Sequence, residues 1–265
     1  MKFQSVIRSF IQLDVFKGGG LARAAKGRVL SLILSDVPGD HIDAIASGPT
    51  VPDSTTPSDA LGVLTKYKIR VPESVRRFLE APEEVNRGSL GSRVENRIIG
   101  SNALAMSAAA QAAEQNGLHA EMLESPLMGE ARQAGPDLAR RLRVEASSSG
   151  RPMCIIGGGE TTVKVTGNGR GGRNQEIALS TVDGMDGLRD CFLVALATDG
   201  EDGPTDAAGA VVTGQSRDQA EALGMHAQDF LGRNDAYTYF DALQDLIRTG
   251  PTGTNVNDLV LLFRL

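Results

Sequence analysis

Short strand-sized apolar runs alternate with longer Ala- and Leu-rich stretches along this chain, and that alternation points to an α/β architecture. Val29–Leu34 and 192–197 are the longest apolar runs, far below the roughly 18–20 residues that a membrane-spanning helix needs. At 265 residues the chain suits one large domain or two small ones, and either size buries a core without metals or disulfides.

Strands are expected at Val29–Leu34, 96–100, 118–123, 153–156, 161–166, Cys191–Ala197, Gly209–Thr213 and 259–263. Segments 57–68 and 72–81 read as helices opened by a first-turn proline. Ser101 or Asn102 is the expected cap of an Ala-rich helix over 103–115, ended by Asn116-Gly117. Segment 130–146 is helical in composition, with Gly135-Pro136 expected to break it. Gly157-Gly-Gly-Glu160 reads as the turn between two strands, and further helices are expected at 173–182, 215–223 and 227–231. The expected divisions are 1–90, 91–150 and 151–265. Pro, Gly and charge cluster near 82–94, and a weaker Ser/Gly seam lies at 147–150.

Charge and composition exclude one partner class. The net charge of −6, with eight Phe, three Tyr and no Trp, leaves neither a basic face nor a stacking platform for nucleic acid. Cys154 and Cys191 each lie inside an apolar run and lack metal-type spacing, which fits a reducing, cytoplasmic setting. Residues 1–13 hold two basic residues and no acidic one, yet they have neither the continuous apolar core nor the cleavage-type end of a leader.

Four polar, Gly-rich segments adjoin expected strands, where open α/β sheets place their sites. In the first, Asp36 and Asp40 frame a tight turn, and Ser47-Gly48-Pro49-Thr50 offers backbone N–H and hydroxyl groups. That set suits a phosphate or a hydrated metal, although Asp, Pro and Gly also favour such a turn without any ligand. The second joins Gly157-Gly158-Gly159-Glu160 to Gly167-Asn-Gly-Arg170-Gly-Gly-Arg173-Asn174-Gln-Glu176. Its glycines permit close backbone approach, a helix starting near Arg173 would aim free N–H groups at an anion, and two arginines add charge. A hairpin tip would need far fewer glycines.

The third segment follows a strand and packs Asp199, Glu201, Asp202 and Asp206 into eight residues, as a magnesium shared with substrate phosphates would need. A solvated acidic loop has the same composition. The fourth, 249–258, presents Thr252, Thr254 and Asn255 as neutral hydrogen-bonding groups for a hydroxylated or phosphorylated ligand, or forms a plain loop. Neither a Walker-type lysine motif nor a strand-linked dinucleotide fingerprint occurs, and no role attaches to His41, His119 or His226.

Taken in order, these segments resemble the type-II glycerate kinases, or glycerate 2-kinases, some once labelled hydroxypyruvate reductases. The resemblance runs through Lys17-Gly-Gly-Gly-Leu-Ala22, 35–53, Ile99-Gly-Ser-Asn102, Gly158-Gly-Glu-Thr-Thr162 and 169–176. It continues through Thr198-Asp-Gly200, 202–209, Asn234-Asp235 and 249–257. It implies the end of a Rossmann-like α/β domain followed, from about 152, by a MOFRL-type α/β domain. It also implies ATP-dependent phosphorylation of D-glycerate at its 2-hydroxyl, with Mg2+, in a cleft.

By position, Arg173 resembles the family's cleft arginine, and Lys17 lies in a matching segment. Asp36, Asp40, Glu160, Arg170, Asn174, Glu176, Asp199 and Asp202 also match motif positions. From this resemblance, Arg173 is expected to be catalytic and to bury little. Lys17, Ser47, Gly158, Gly159, Glu160, Arg170, Asn174, Glu176, Thr252, Thr254 and Asn255 are expected to bind substrate or phosphate, and Asp36, Asp40, Asp199 and Asp202 the metal. The family's Gly-Ala-Gly-Lys segment, with its catalytic lysine, is not found before Lys17. The chain therefore resembles a truncated or split member, completed by an N-terminal polypeptide from another chain, with a homo-oligomer as the other expected partner. The competing readings are a non-catalytic binding remnant and, weakly, a true hydroxypyruvate reductase.

Overall fold

The structure is a computed structural model that describes residues 11–81, 90–148 and 150–265. Expectations for 1–10 and 82–89 lie outside the described residues. The chain divides into two units, Met1–Ile99 and Gly100–Leu265.

In the first unit, α1 (Gly20–Ala24), β1 (Val29–Leu34), α2 (Pro57–Lys66) and α3 (Glu73–Glu80) precede β2 (Val94–Gly100). The two strands form a two-stranded sheet. A capping box starts α2: Thr56 Oγ1 accepts from the Asp59 N–H at 3.2 Å, and Asp59 Oδ2 accepts from the Thr56 N–H at 2.8 Å. Pro57 supplies the preset first turn. Ala60, Leu64 and Leu79 make a small core between α2 and α3.

The second unit holds α4 (Asn102–Gln115), β3 (His119–Met122), α5 (Ala131–Ala146), β4 (Met153–Gly159) and α6 (Arg173–Met185). There follow β5 (Cys191–Ala197), β6 (Gly209–Thr213), α7 (Ser216–Ala222), α8 (Ala227–Gly232), α9 (Ala236–Leu243), β7 (Leu246–Ile247) and β8 (Asp258–Arg264). Its six-stranded sheet runs β3-β4-β8-β5-β6-β7, with β3 parallel to β4 and every other pair antiparallel. Strict alternation of buried residues along β5 and β8 turns Leu193, Ala195, Val260 and Leu262 into the main core. Residues of α5, α6, α8 and α9 complete that core. Apolar residues of α4 cover Cys154 and Ile156 in a separate cluster.

Two expectations fail for the same reason, close packing on glycine. Helix α5 runs unbroken through Gly135-Pro136. A Cβ at Gly135 would overlap Ser180 Oγ, so glycine lets α5 lie against α6, and that burial outweighs the one helical donor Pro136 lacks. Gly157–Gly159 is not a turn but the end of buried β4. Side chains there would collide with Leu123, Asn102, Met106 and Leu127. The segment 161–166 forms no strand; only an isolated bridge joins Thr162 to Glu130. Helices α1 and α9 and strand β7 were not expected. Among the described residues no helix is long and apolar enough to cross a membrane.

Candidate active site

Three of the four Gly-rich segments meet at one end of the second unit's sheet, because β4 and β5 finish there and β8 begins there. Asp258, the first residue of β8, pairs in register with Gly159 on one side and Ala197 on the other. Its carboxylate is nearly buried and receives a two-pronged contact from Arg173, the first residue of α6: Nε to Oδ2 at 2.6 Å and Nη2 to Oδ1 at 3.0 Å. The remaining Arg173 nitrogen, Nη1, lies 3.0 Å from Glu160 Oε1. Hydrogen bonding to Asp258 raises the guanidinium's pKa above its ordinary value, against the opposing effect of burial.

The start of α6 is already filled by the protein itself. Asp202 Oδ1 accepts from the Asn174 N–H at 3.1 Å, and Oδ2 accepts from the Gln175 N–H at 2.8 Å. A side chain on Gly172 would overlap the Asp202 carboxylate. The expectation that these N–H groups wait for an anion is therefore corrected: a carboxylate from a loop 27 residues on caps them. Asp202 was expected to hold a metal; in the structure it is buried and both of its oxygens bond the start of α6. Burial lifts its carboxyl from 3.8 to about 6, with the two backbone N–H groups opposing.

The folded state thus holds a proton that the unfolded chain releases between pH 3.8 and about 6. Asp202 contributes most stability below pH 3.8 and loses that contribution as pH rises through about 6. Urea unfolding at pH 4.5 and 7.5 should show wild type losing about 2 kcal/mol more than Asp202→Asn across that span. Parallel losses in the two proteins would mean that Asp202 titrates normally.

The glycines between 167 and 172 have packing partners of their own. Side chains at Gly167 and Gly169 would overlap Arg233 and Asp235, and the Gly169 N–H donates to the Arg233 carbonyl at 2.9 Å. The ligand-approach reading of these two positions is replaced by chain-on-chain packing. Arg170 is exposed and lies 4.5 Å over the Tyr237 ring, while its N–H donates to Asp235 Oδ1 at 3.0 Å. Asn174 is fully buried, with Nδ2 on Asp202 Oδ1 at 3.3 Å. Glu176 is buried too, taken up by Arg132 Nε at 3.0 Å and Asn234 Nδ2 at 3.0 Å. Asn174 and Glu176 therefore support the site from behind, outside the lining of its cleft.

The loop after β5 and the loop before β8 are laced together. Thr252 Oγ1 donates to the Thr198 carbonyl at 2.7 Å, and the Thr252 N–H donates to the Asp199 carbonyl at 2.9 Å. Thr254 and Asn255 lie exposed in the same loop, where Asn255 Oδ1 accepts the Asn257 N–H at 3.0 Å. Of the loop's four acidic residues, Asp206 is bound by Tyr237 and Arg248, and Asp202 by α6. Asp199 uses Oδ1 on the Glu201 N–H at 3.1 Å. Gly171, Gly172, Arg173, Glu160, Asp199 and Asp202 line a cleft of about 680 Å3.

The remaining expected residues belong to the first unit. Lys17 is 3.9 Å from Asp14. Asp40, at φ 53°, closes the expected turn through its N–H to the Val37 carbonyl at 3.0 Å, with exposed Asp36 just before it. Ser47 is buried at φ 62° between Ala46 and Gly48, also left-handed, and its carbonyl accepts the Gly18 N–H at 3.0 Å. Among the described residues no three His, Cys, Asp or Glu side chains converge as a metal site. Both cysteines are buried, and burial pushes the Cys154 thiol up to about 11, so it is no nucleophile.

Sequence reasoning missed Asp258. Its only signal is a carboxylate at the head of an otherwise apolar strand. Asn102, expected only as a helix cap and within a motif, has a different part: its Nδ2 donates to the Val256 and Asp258 carbonyls at 2.9 Å each, fixing the start of β8 beside α4.

Residues 153–258 match the MOFRL family, and residues 6–80 match a domain of unknown function, DUF4147. The chain is 39% identical over 301 residues to a glycerate kinase of Macaca fascicularis, covering 95% of this chain and 76% of that protein. The chain belongs to the glycerate kinase family. It is 42% identical over 255 residues to a D-glycerate 2-kinase of Thermotoga maritima, covering 94% of this chain and 60% of that protein. The fold matches a crystal structure of glycerate kinase from Thermotoga maritima with a TM-score of 0.88 at 39% identity, over 100% of this chain and 63% of that one. The chain thus spans about 60% of the length of that Thermotoga relative. As a glycerate kinase family member it carries the Arg173–Asp258 pair inside its MOFRL match.

Proposed function

We propose that this chain serves in ATP-dependent phosphorylation of D-glycerate at its 2-hydroxyl, giving 2-phosphoglycerate, with Mg2+ arriving on the nucleotide. The observation that carries the reading is Arg173, clamped on buried Asp258 at the rim of a cleft bordered by Glu160 and Asp199. Phosphoryl transfer asks a protein for positioning and charge neutralisation more than covalent chemistry. Arg173 supplies a guanidinium fixed from behind by Asp258, and its Nη1 exchanges Glu160 for an oxygen of the transferring group.

Clustered carboxylates would repel a bare polyphosphate, so the cleft suits a nucleotide whose charge is masked by a cation. A magnesium ion held mainly by substrate phosphates needs only one or two carboxylates, which the cleft-lining Asp199, Glu201 and Glu160 would supply. The ion supplies charge neutralisation when bound. Two buried cysteines that form no disulfide support a cytoplasmic setting.

The test is product identity. Protein, D-glycerate, ATP and magnesium are combined, and the product is read by phosphorus–carbon coupling in NMR. Phosphate on carbon 2 is the expected result; phosphate on carbon 3, or no product even with a complementing N-terminal polypeptide present, overturns the reading.

A further inference from the structure

Beyond its hold on Glu176, the Asn234 side chain bonds three further residues distant in sequence, more than a turn residue needs. It is buried and held at φ 56°, a left-handed conformation that asparagine tolerates better than most residues. Its Oδ1 accepts the Thr166 N–H at 2.7 Å and the Gly167 N–H at 2.9 Å. Its Nδ2 donates to Glu176 Oε2 at 3.0 Å and to the Lys164 carbonyl at 3.3 Å.

One amide therefore grips both the entry of the Gly-rich loop and helix α6, on which Glu176 sits three residues after Arg173. The neighbouring residues hold the rest of the loop: the Arg233 carbonyl takes the Gly169 N–H and Asp235 Oδ1 takes the Arg170 N–H. Gly167 and Gly169 are glycine because side chains there would overlap residues 233 and 235. From the other flank, Arg132 of α5 contacts Glu176 and Glu130, so Glu176 is clamped on both sides.

We propose that Asn234 is a positioning residue that sets Arg173 by fixing the 164–172 loop against α6. It touches neither substrate nor nucleotide. The proposal rests on the reading of Arg173 as the phosphoryl contact. Displacing a charge contact by about 1 Å costs on the order of a hundredfold in rate.

The experiment compares the wild type with Asn234→Gly, Asn234→Asp and, as a control, Gln228→Ala, by amide hydrogen exchange and steady-state kinetics. Asn234→Gly keeps the left-handed backbone and removes the amide, so exchange over 164–172 should rise on the order of tenfold while the sheet stays protected. Its kcat should fall on the order of a hundredfold with the KM for glycerate within about threefold. Asn234→Asp keeps an acceptor for the Thr166 and Gly167 N–H groups but sets a second carboxylate against Glu176. Protection at 166–167 should survive, and kcat should fall between wild type and Asn234→Gly.

Exchange in Asn234→Gly that matches the Gln228→Ala control, or that rises uniformly over the second unit, overturns the positioning role. So does a loss carried by KM alone. If the wild type shows no turnover, the functional reading fails, while the exchange pattern still decides whether Asn234 fixes the loop.

Discussion

Arg173→Ala is expected to cost about 3–5 kcal/mol of stability as well as activity, because it strands a buried carboxylate without its partner. The sequence alone led to a different expectation, an arginine on a Gly-rich cleft loop that buries little. The structure reverses it: Arg173 grips Asp258 with two nitrogens, and the Asp258 side chain is only 4% exposed. Arg173→Lys keeps a charge but loses the planar fork, and should cut kcat on the order of a hundredfold. Stability and rate are then separated by a paired change. Arg173→Met with Asp258→Asn removes both charges together, so urea unfolding should recover most of the lost stability while kcat stays low. Recovery of kcat along with stability would assign the pair to scaffolding alone.

Gly158→Ala is expected to destabilise the protein by roughly 2–4 kcal/mol and to disturb the same end of the sheet. A methyl group there overlaps Asn102 Oδ1 and crowds Met106 Sδ at 2.7 Å. Moving Asn102 releases the Val256 and Asp258 carbonyls, which anchor the start of β8. Gly232→Ala, with open space around its position, is the matching control. Chemical denaturation of Gly158→Ala, Asn102→Ala and the double variant completes the comparison. A double variant less destabilised than the sum of the two shows that they share one contact; simple additivity would show that Gly158 acts elsewhere.

These two positions show what the residues alone disclosed and what they did not. Strands β5 and β6 could be read to the residue, because each is a short apolar run bounded by turn residues. The convergence of loops at strand ends was equally legible, since α/β topology places them there. The meaning of the glycines was not. Gly158, Gly167, Gly169 and Gly172 read as room for a ligand, whereas each makes room for another part of the chain. Nothing in a linear sequence distinguishes those two uses, because the partner lies far along the chain: Gly158 with Asn102, Gly172 with Asp202. The same separation hid Asp258, 85 residues beyond the arginine it holds. Four clustered carboxylates looked like one metal site, but a side chain's neighbours in sequence are not its neighbours in space. Asp202 caps α6 and Asp206 serves Tyr237 and Arg248.

On the proposed reading, MgATP is met by the loops around Arg173 and Asp258. Titrating MgATP into the 15N-labelled protein tests it most directly. Saturable shifts are expected at residues 160, 171–173 and 199–203, weakened in Asp199→Asn and in Arg173→Lys. Saturable shifts confined to other parts of the chain, or none at millimolar nucleotide, would contradict it.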